Sequence, residues 1–122
     1  MKKFYLASKN QGKIEEYKKL LLDVNCQLLL QPESIEVEEN GFTFRENAIK
    51  KAREVSIKTR NYAIADDSGI CIDALDGKPG IYSSRYAEDD KKRIQRVLTE
   101  LDGEENRNAF FIANICVCSP NG

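Results

Sequence analysis

The sequence predicts an α/β fold, a mixed twisted sheet with flanking helices. Three observations carry this. Short apolar runs at Lys3–Ser8, Gln27–Leu30, Tyr62–Ala65 and Ala109–Cys118 have strand character. Between them lie segments whose apolar residues recur at helical spacing, with charges filling the gaps. The two kinds of segment alternate, in the order β, loop, α, β, α, β, β, α, β, as an α/β architecture requires.

Each element has its own signal. Phe4, Tyr5, Leu6 and Ala7 make the first strand, and Ser8-Lys9-Asn10-Gln11-Gly12-Lys13 reads as a polar turn after it. Ile14, Tyr17, Leu20, Leu21 and Leu22 then mark an amphipathic helix. Gln31 to Gly41 is a polar, acidic connection. Thr43 with Glu46 forms a capping box, and Ala48, Ile49, Ala52, Val55 and Ser56 line one face of the helix that follows, which ends near Arg60-Asn61. After the Tyr62–Ala65 strand, Ser68-Gly69 reads as a turn and Ile70–Ile72 as a further strand. Asp76 to Arg85 is an ordered loop rich in Gly and Pro. Glu88–Leu101 is a helix with Ile94, Val97, Leu98 and Leu101 as its inward stripe, stopped by Asp102-Gly103. Ser119-Pro120-Asn121-Gly122 resembles a hairpin tip.

Bulk properties exclude several function classes. A chain of 122 residues fits one domain, and 41% hydrophobic with 32% charged residues describes a folded, soluble protein. A net charge of −1 provides no basic field, so neither nucleic acid nor an anionic membrane is an expected partner. The opening residues are too short an apolar run for a signal sequence, which makes the cytoplasm the expected location. The absence of histidine removes Ser-His-Asp and Cys-His catalysis and His-ligated zinc. Hydrolysis here must rest on carboxylates, lysine and a divalent ion. Of the cysteines Cys26, Cys71, Cys116 and Cys118, three lie in apolar stretches and read as packing residues. Cys116 and Cys118 share a strand face, a pattern also open to metal binding or redox chemistry.

The chemistry concentrates in a few segments. Asp66 and Asp67 follow an apolar strand, where ligands gather in open α/β sheets. The pair is either a solvated acidic turn or a site for a hard cation such as Mg²⁺, which prefers carboxylate and phosphate oxygens. Ser8 to Lys13 stands before a helix, whose first N–H groups attract anions. Lys13 is unfavourable there for the helix dipole unless an anion shares the place. A Walker A loop fits less well, because Ala7 replaces its first glycine and Ile14 follows the lysine. A receiver domain fits less well too, since its acid pair should follow the first strand. Glu36, Glu38 and Glu39 matter only if they face Asp66 and Asp67. Lys50, Lys51 and Arg53 read as a solvated helix face, and Arg85 as a phosphate contact or a loop brace.

Four blocks occur in order. They are Ser8-x-Asn10-x-x-Lys13, Glu38-Glu39-Asn40-Gly41-x-Thr43-Phe44-x-Glu46-Asn47-Ala48, Ala65-Asp66-Asp67-Ser68-Gly69, and Asp73-Ala74-Leu75-x-Gly77-x-Pro79-Gly80-x-Tyr82-Ser83-x-Arg85-Tyr86. Together they resemble the Ham1/ITPase family of house-cleaning pyrophosphatases acting on non-canonical purine nucleoside triphosphates, over nearly the whole chain. The resemblance implies a Ham1/ITPase-like, anticodon-like α/β fold. It implies Mg²⁺-dependent cleavage between the α- and β-phosphates of ITP, dITP or XTP, in a homodimer. Ser8, Lys9, Asn10, Gln11, Gly12 and Lys13 would bind the triphosphate, with Lys13 on a phosphate, and Ser68 would touch substrate, with Arg85 a further candidate contact. Asp67 would be metal ligand and general base. Glu38 would be the second ligand, with Glu39 close enough to compete for that assignment, and Asp66 is a further candidate. The family's Phe-Gly-Tyr-Asp-Pro and Ser-His-Arg blocks, which shape its purine pocket, are not found. The sequence therefore reads as the C-terminally truncated portion of such an enzyme over residues 1–122. The alternative is a non-catalytic remnant, or half of a split enzyme, that binds phosphate or dimerises.

Overall fold

The computed structural model describes all residues, 1 to 122. In chain order it contains β1 (Lys2–Leu6), α1 (Gln11–Leu20), β2 (Cys26–Leu30), α2 (Phe44–Thr59), β3 (Tyr62–Ile72), 3₁₀ turns at Asp73–Leu75 and Gly80–Arg85, α3 (Asp90–Glu100) and β4 (Ala109–Cys118). One sheet has the strand order β2-β1-β3-β4, with β1 parallel to both β2 and β3. No helix is long and apolar enough to cross a membrane. The chain forms two compact units: residues 1–66 with 114–122, and residues 67–113.

In the first unit, strand alternation sorts the core into two clusters. Ala7, Ala63 and Ala65 pack with Ala52 and Val55 of α2 and with Ile35. Leu6 and Leu28 pack with Ile14 and Tyr17 of α1, joined by Phe4 and Ile64. Consecutive residues of β1 and β3 thus go to opposite clusters, one built with each helix. The alanines of β3 leave room for α2 to lie close.

Caps set the helix starts. Asn10 caps α1 by accepting the Lys13 N–H, so Gln11, Gly12 and Lys13 form the first helical turn and not the polar turn expected. Thr43 accepts the Glu46 N–H at 3.0 Å, and Glu46 Oε2 accepts the Phe42 N–H at 3.0 Å, which gives the expected capping interaction a closely related form. Arg60 ends α2 in the left-handed region at φ 54°.

β3 departs most from expectation. It runs unbroken through Asp66-Asp67-Ser68-Gly69, with no turn at Ser68-Gly69 and no separate strand after it. The acids therefore lie mid-strand, not at a strand end. Buried Ala63, Ala65, Gly69 and Cys71 keep the same two-residue period on both sides of the acids, and that period outweighs their turn-like composition. It also separates the two neighbouring negative charges. Adjacent strand residues project to opposite faces, so no shared cation is required to separate the two carboxylates.

In the second unit the expected loop over residues 76–85 is largely 3₁₀ helix. Gly77 at φ 85° and Gly80 at φ 52° supply backbone that side chains rarely adopt. Ser83 fastens this segment to β3: its Oγ accepts the Ile70 N–H at 3.0 Å and donates to the Gly80 carbonyl at 2.6 Å. Asp89 caps α3 by accepting the Lys92 N–H. The expected inward stripe of α3 does not bury. Ile94 and Leu98 are 61% and 57% exposed, and only Leu101, just past the helix, is in the core. Helical period identifies the apolar face and says nothing of what covers it.

Candidate phosphate and cation site

The site begins at the N-terminal turn of α1. Ser8 Oγ accepts the Asn10 N–H at 3.0 Å, and Asn10 Oδ1 accepts the Lys13 N–H at 3.2 Å. These two side chains shape the β1–α1 connection and leave the helix N-terminus directed at the chain's surface, where Lys9, Asn10, Gln11 and Gly12 are exposed. Lys13 places its ammonium 2.6 Å from Asp66 Oδ1. This answers the dipole argument, since the misplaced cation has a carboxylate beside it.

Asp66 has a second neighbour. Tyr17 lies one turn beyond Lys13 on α1, with its phenol within electrostatic reach of Asp66. Burial first, then the Asp66 charge, pushes the Tyr17 phenol far above its ordinary value near 10. Sequence reasoning placed Tyr17 in the core and missed this polar role. The available signal was its i,i+4 spacing from Lys13. Tyr17→Phe is expected to cost about 1 kcal/mol or less in chemical denaturation at neutral pH. Its pH signature is specific. The folded phenol keeps its proton above pH 10, whereas the unfolded chain releases it, so this contribution is complete below pH 10 and is lost as pH rises further. The variant should lack that alkaline slope; an unchanged slope would contradict the assignment.

The acidic connection is divided among lysines. Lys9 donates to the Glu33 carbonyl at 2.9 Å and to Glu36 at 2.8 Å, and that pairing holds the exposed Glu36 carboxyl below its usual range. Glu39 pairs with Lys51 at 3.1 Å, and Lys50 donates to Asn40 at 2.7 Å. So Lys50 and Lys51 brace the connection and are not a purely solvated face. Glu38 stays exposed, with only a long 3.5 Å contact from Asn40 Nδ2. Of the two competing residues, Glu38 has the carboxylate less committed to the fold.

In the second unit Asp67 has a buried Oδ2, as its register with Ala65 and Gly69 predicts. Ser68 and Gly69 line a groove of about 650 Å³ together with Tyr86, Ile94, Leu98 and Phe111. Arg85 is exposed, its guanidinium 5.2 Å from the centre of the Tyr82 ring. Tyr86 donates to Glu100 at 2.6 Å under the Arg96 guanidinium, which lies 3.7 Å above its ring, so this tyrosine ties the 3₁₀ segment to α3.

No three Asp, Glu or Cys side chains converge on one point. Mg²⁺ does not need such a cage, because it keeps waters and uses one or two carboxylates plus substrate phosphates. Glu38 and Asp67, each taken in its own unit, carry a carboxylate of the kind that habit uses. Asp66 fits it less well, being engaged by the Lys13 ammonium.

A parallel-stranded α/β core with a capped helix start beside a lysine is an arrangement able to receive an anion such as phosphate. The chain belongs to the Ham1 family, whose model matches residues 4–122. It is 88% identical over 121 residues to a dITP/XTP pyrophosphatase of Prochlorococcus marinus subsp. pastoris, covering 99% of this chain and 63% of that protein. A dITP/XTP pyrophosphatase of a Synechococcus species is 50% identical, with 96% of this chain and 57% of that protein covered. Among solved structures, a HAM1 protein from Coxiella burnetii superposes with a TM-score of 0.88 at 40% identity, over 99% of this chain and 65% of that one. The Staphylococcus aureus Ham1 protein gives 0.85 at 37% identity, with the same coverage. The chain thus spans less than two thirds of the length of these relatives.

Proposed function

We propose that this chain handles the triphosphate and the cation in a Mg²⁺-dependent pyrophosphatase for non-canonical purine nucleoside triphosphates such as dITP, XTP and ITP. The observation that carries the reading is the Lys13 ammonium, held by Asp66 at the capped start of α1. High identity to proteins named dITP/XTP pyrophosphatase supports the substrate class. The proposed setting is the cytoplasm.

In this reading the N–H groups of the first turn of α1 and the side chains of Ser8, Lys9, Asn10 and Gln11 receive phosphate oxygens, with Gly12 allowing close approach. Lys13 exchanges part of its hold on Asp66 for a phosphate. Glu38 and Asp67 would hold Mg²⁺, which supplies charge neutralisation of the phosphate oxygens when bound. Asp67 takes the proton of a water directed at the α-phosphorus. The new bond forms there, the bond from the α-phosphorus to the bridging oxygen breaks, that oxygen leaves on the β-phosphate, and the products are a monophosphate and pyrophosphate. Ser68 and Arg85 contact the substrate. In this scheme Asp66 positions the Lys13 ammonium it pairs with.

Lys13→Met tests the reading. Loss of a charged hydrogen bond, about 1.5–3 kcal/mol, corresponds to roughly tenfold to a hundredfold weaker binding of a non-hydrolysable triphosphate analogue by calorimetry. Unchanged affinity would refute the role of Lys13. The proposed assembly is a homodimer, because β4 is an edge strand with Ile115 and Val117 64% and 56% exposed. Light scattering should give twice the chain mass; a monomer at micromolar concentration would contradict it.

A further inference from the structure

We propose that Cys116 and Cys118 form a binding site for one thiophilic divalent cation of the zinc type, independent of the nucleotide site. Both are free thiols, and two residues apart on β4 they share a face with their sulfurs 3.8 Å apart. Zinc–thiolate bonds of about 2.3 Å opened at a tetrahedral angle set two sulfurs about 3.8 Å apart. The spacing therefore suits a tetrahedral ion without rearrangement of the strand. A linear two-coordinate ion needs about twice the bond length, roughly 4.6 Å, and fits poorly.

The surroundings favour the same class of ion. Both thiols are half-buried against the cluster that contains Ala52, Val55 and Ala63. Two thiolates around one divalent cation form a neutral unit, which an apolar environment tolerates. On binding, each S–H gives up its proton and two metal–sulfur bonds form, so two protons leave for each cation and no electrons move. With no third protein ligand converging on the pair, waters complete the tetrahedron. The ion would clip the edge strand at Val117 and stabilise the fold by mass action.

The test uses the reduced full chain and Co²⁺ as an optical probe. The expected result is a thiolate charge-transfer band saturating at one equivalent, release of two protons, bleaching by Zn²⁺, and a melting temperature that rises with Zn²⁺. A Cys26→Ser/Cys71→Ser variant should keep all four signals. Cys118→Ser should lose the band and the Zn²⁺-dependent rise in melting temperature. Should that variant fail to fold, Cys118→Val, which restores apolar packing, takes its place. No band in the wild type, or a band that survives loss of Cys118, would overturn the proposal.

Discussion

Asp67→Asn is expected to abolish Mg²⁺-dependent pyrophosphate release while leaving the fold intact. The substitution preserves shape and removes charge, so β3 should keep its register through residues 62–72. Two functions disappear together in the proposed scheme, a ligand for the cation and the acceptor of the water's proton. General-base catalysis alone is worth about 10²- to 10⁴-fold, so activity should fall at least that far. Circular dichroism and denaturation midpoints close to wild type would show that the loss is chemical. Substantial residual turnover would remove Asp67 from the role.

Gly41→Ala is expected to produce a large loss of stability. A Cβ at position 41 would lie 2.8 Å from both Asn47 Oδ1 and Glu46 Cβ. Asn47 cannot retreat, since it is 1% exposed and its Oδ1 already accepts the Gly41 N–H at 2.8 Å. The shift would break that bond and disturb the neighbouring bond from the Phe42 N–H to Glu46. A cost of about 2–3 kcal/mol follows from a buried acceptor left unmatched together with a damaged helix cap. Urea denaturation measures it, and a midpoint equal to wild type would contradict the close-contact argument.

The sequence made the fold legible where local chemistry agrees with the tertiary result. Thr43 and Glu46 announced α2, and the Ala48, Ala52, Val55 repeat named its buried face, now packed against Ala63 and Ala65. Asp66 to Gly69 were misread because acids, serine and glycine are the vocabulary of turns. The Ala63, Ala65, Gly69, Cys71 alternation was the stronger signal. Gln11 to Lys13 were assigned to a turn because the cap rests on one asparagine side chain, Asn10. The partners of Lys13 were not legible at all. Asp66 lies 53 residues away, and only the parallel pairing of β1 with β3 brings the end of β1, and α1 after it, to that strand. The distribution of Glu36, Glu38 and Glu39 was hidden for the same reason, since Lys9 and Lys51 that claim two of them belong to other segments.

The most direct test of the central reading is pyrophosphate release from ITP, XTP, ATP and GTP with Mg²⁺, with Asp67→Asn as control. The account predicts Mg²⁺-dependent release from ITP and XTP by the wild type, and none from the variant. No release from any of the four by a protein shown to be folded, or release equal in wild type and variant, would contradict it.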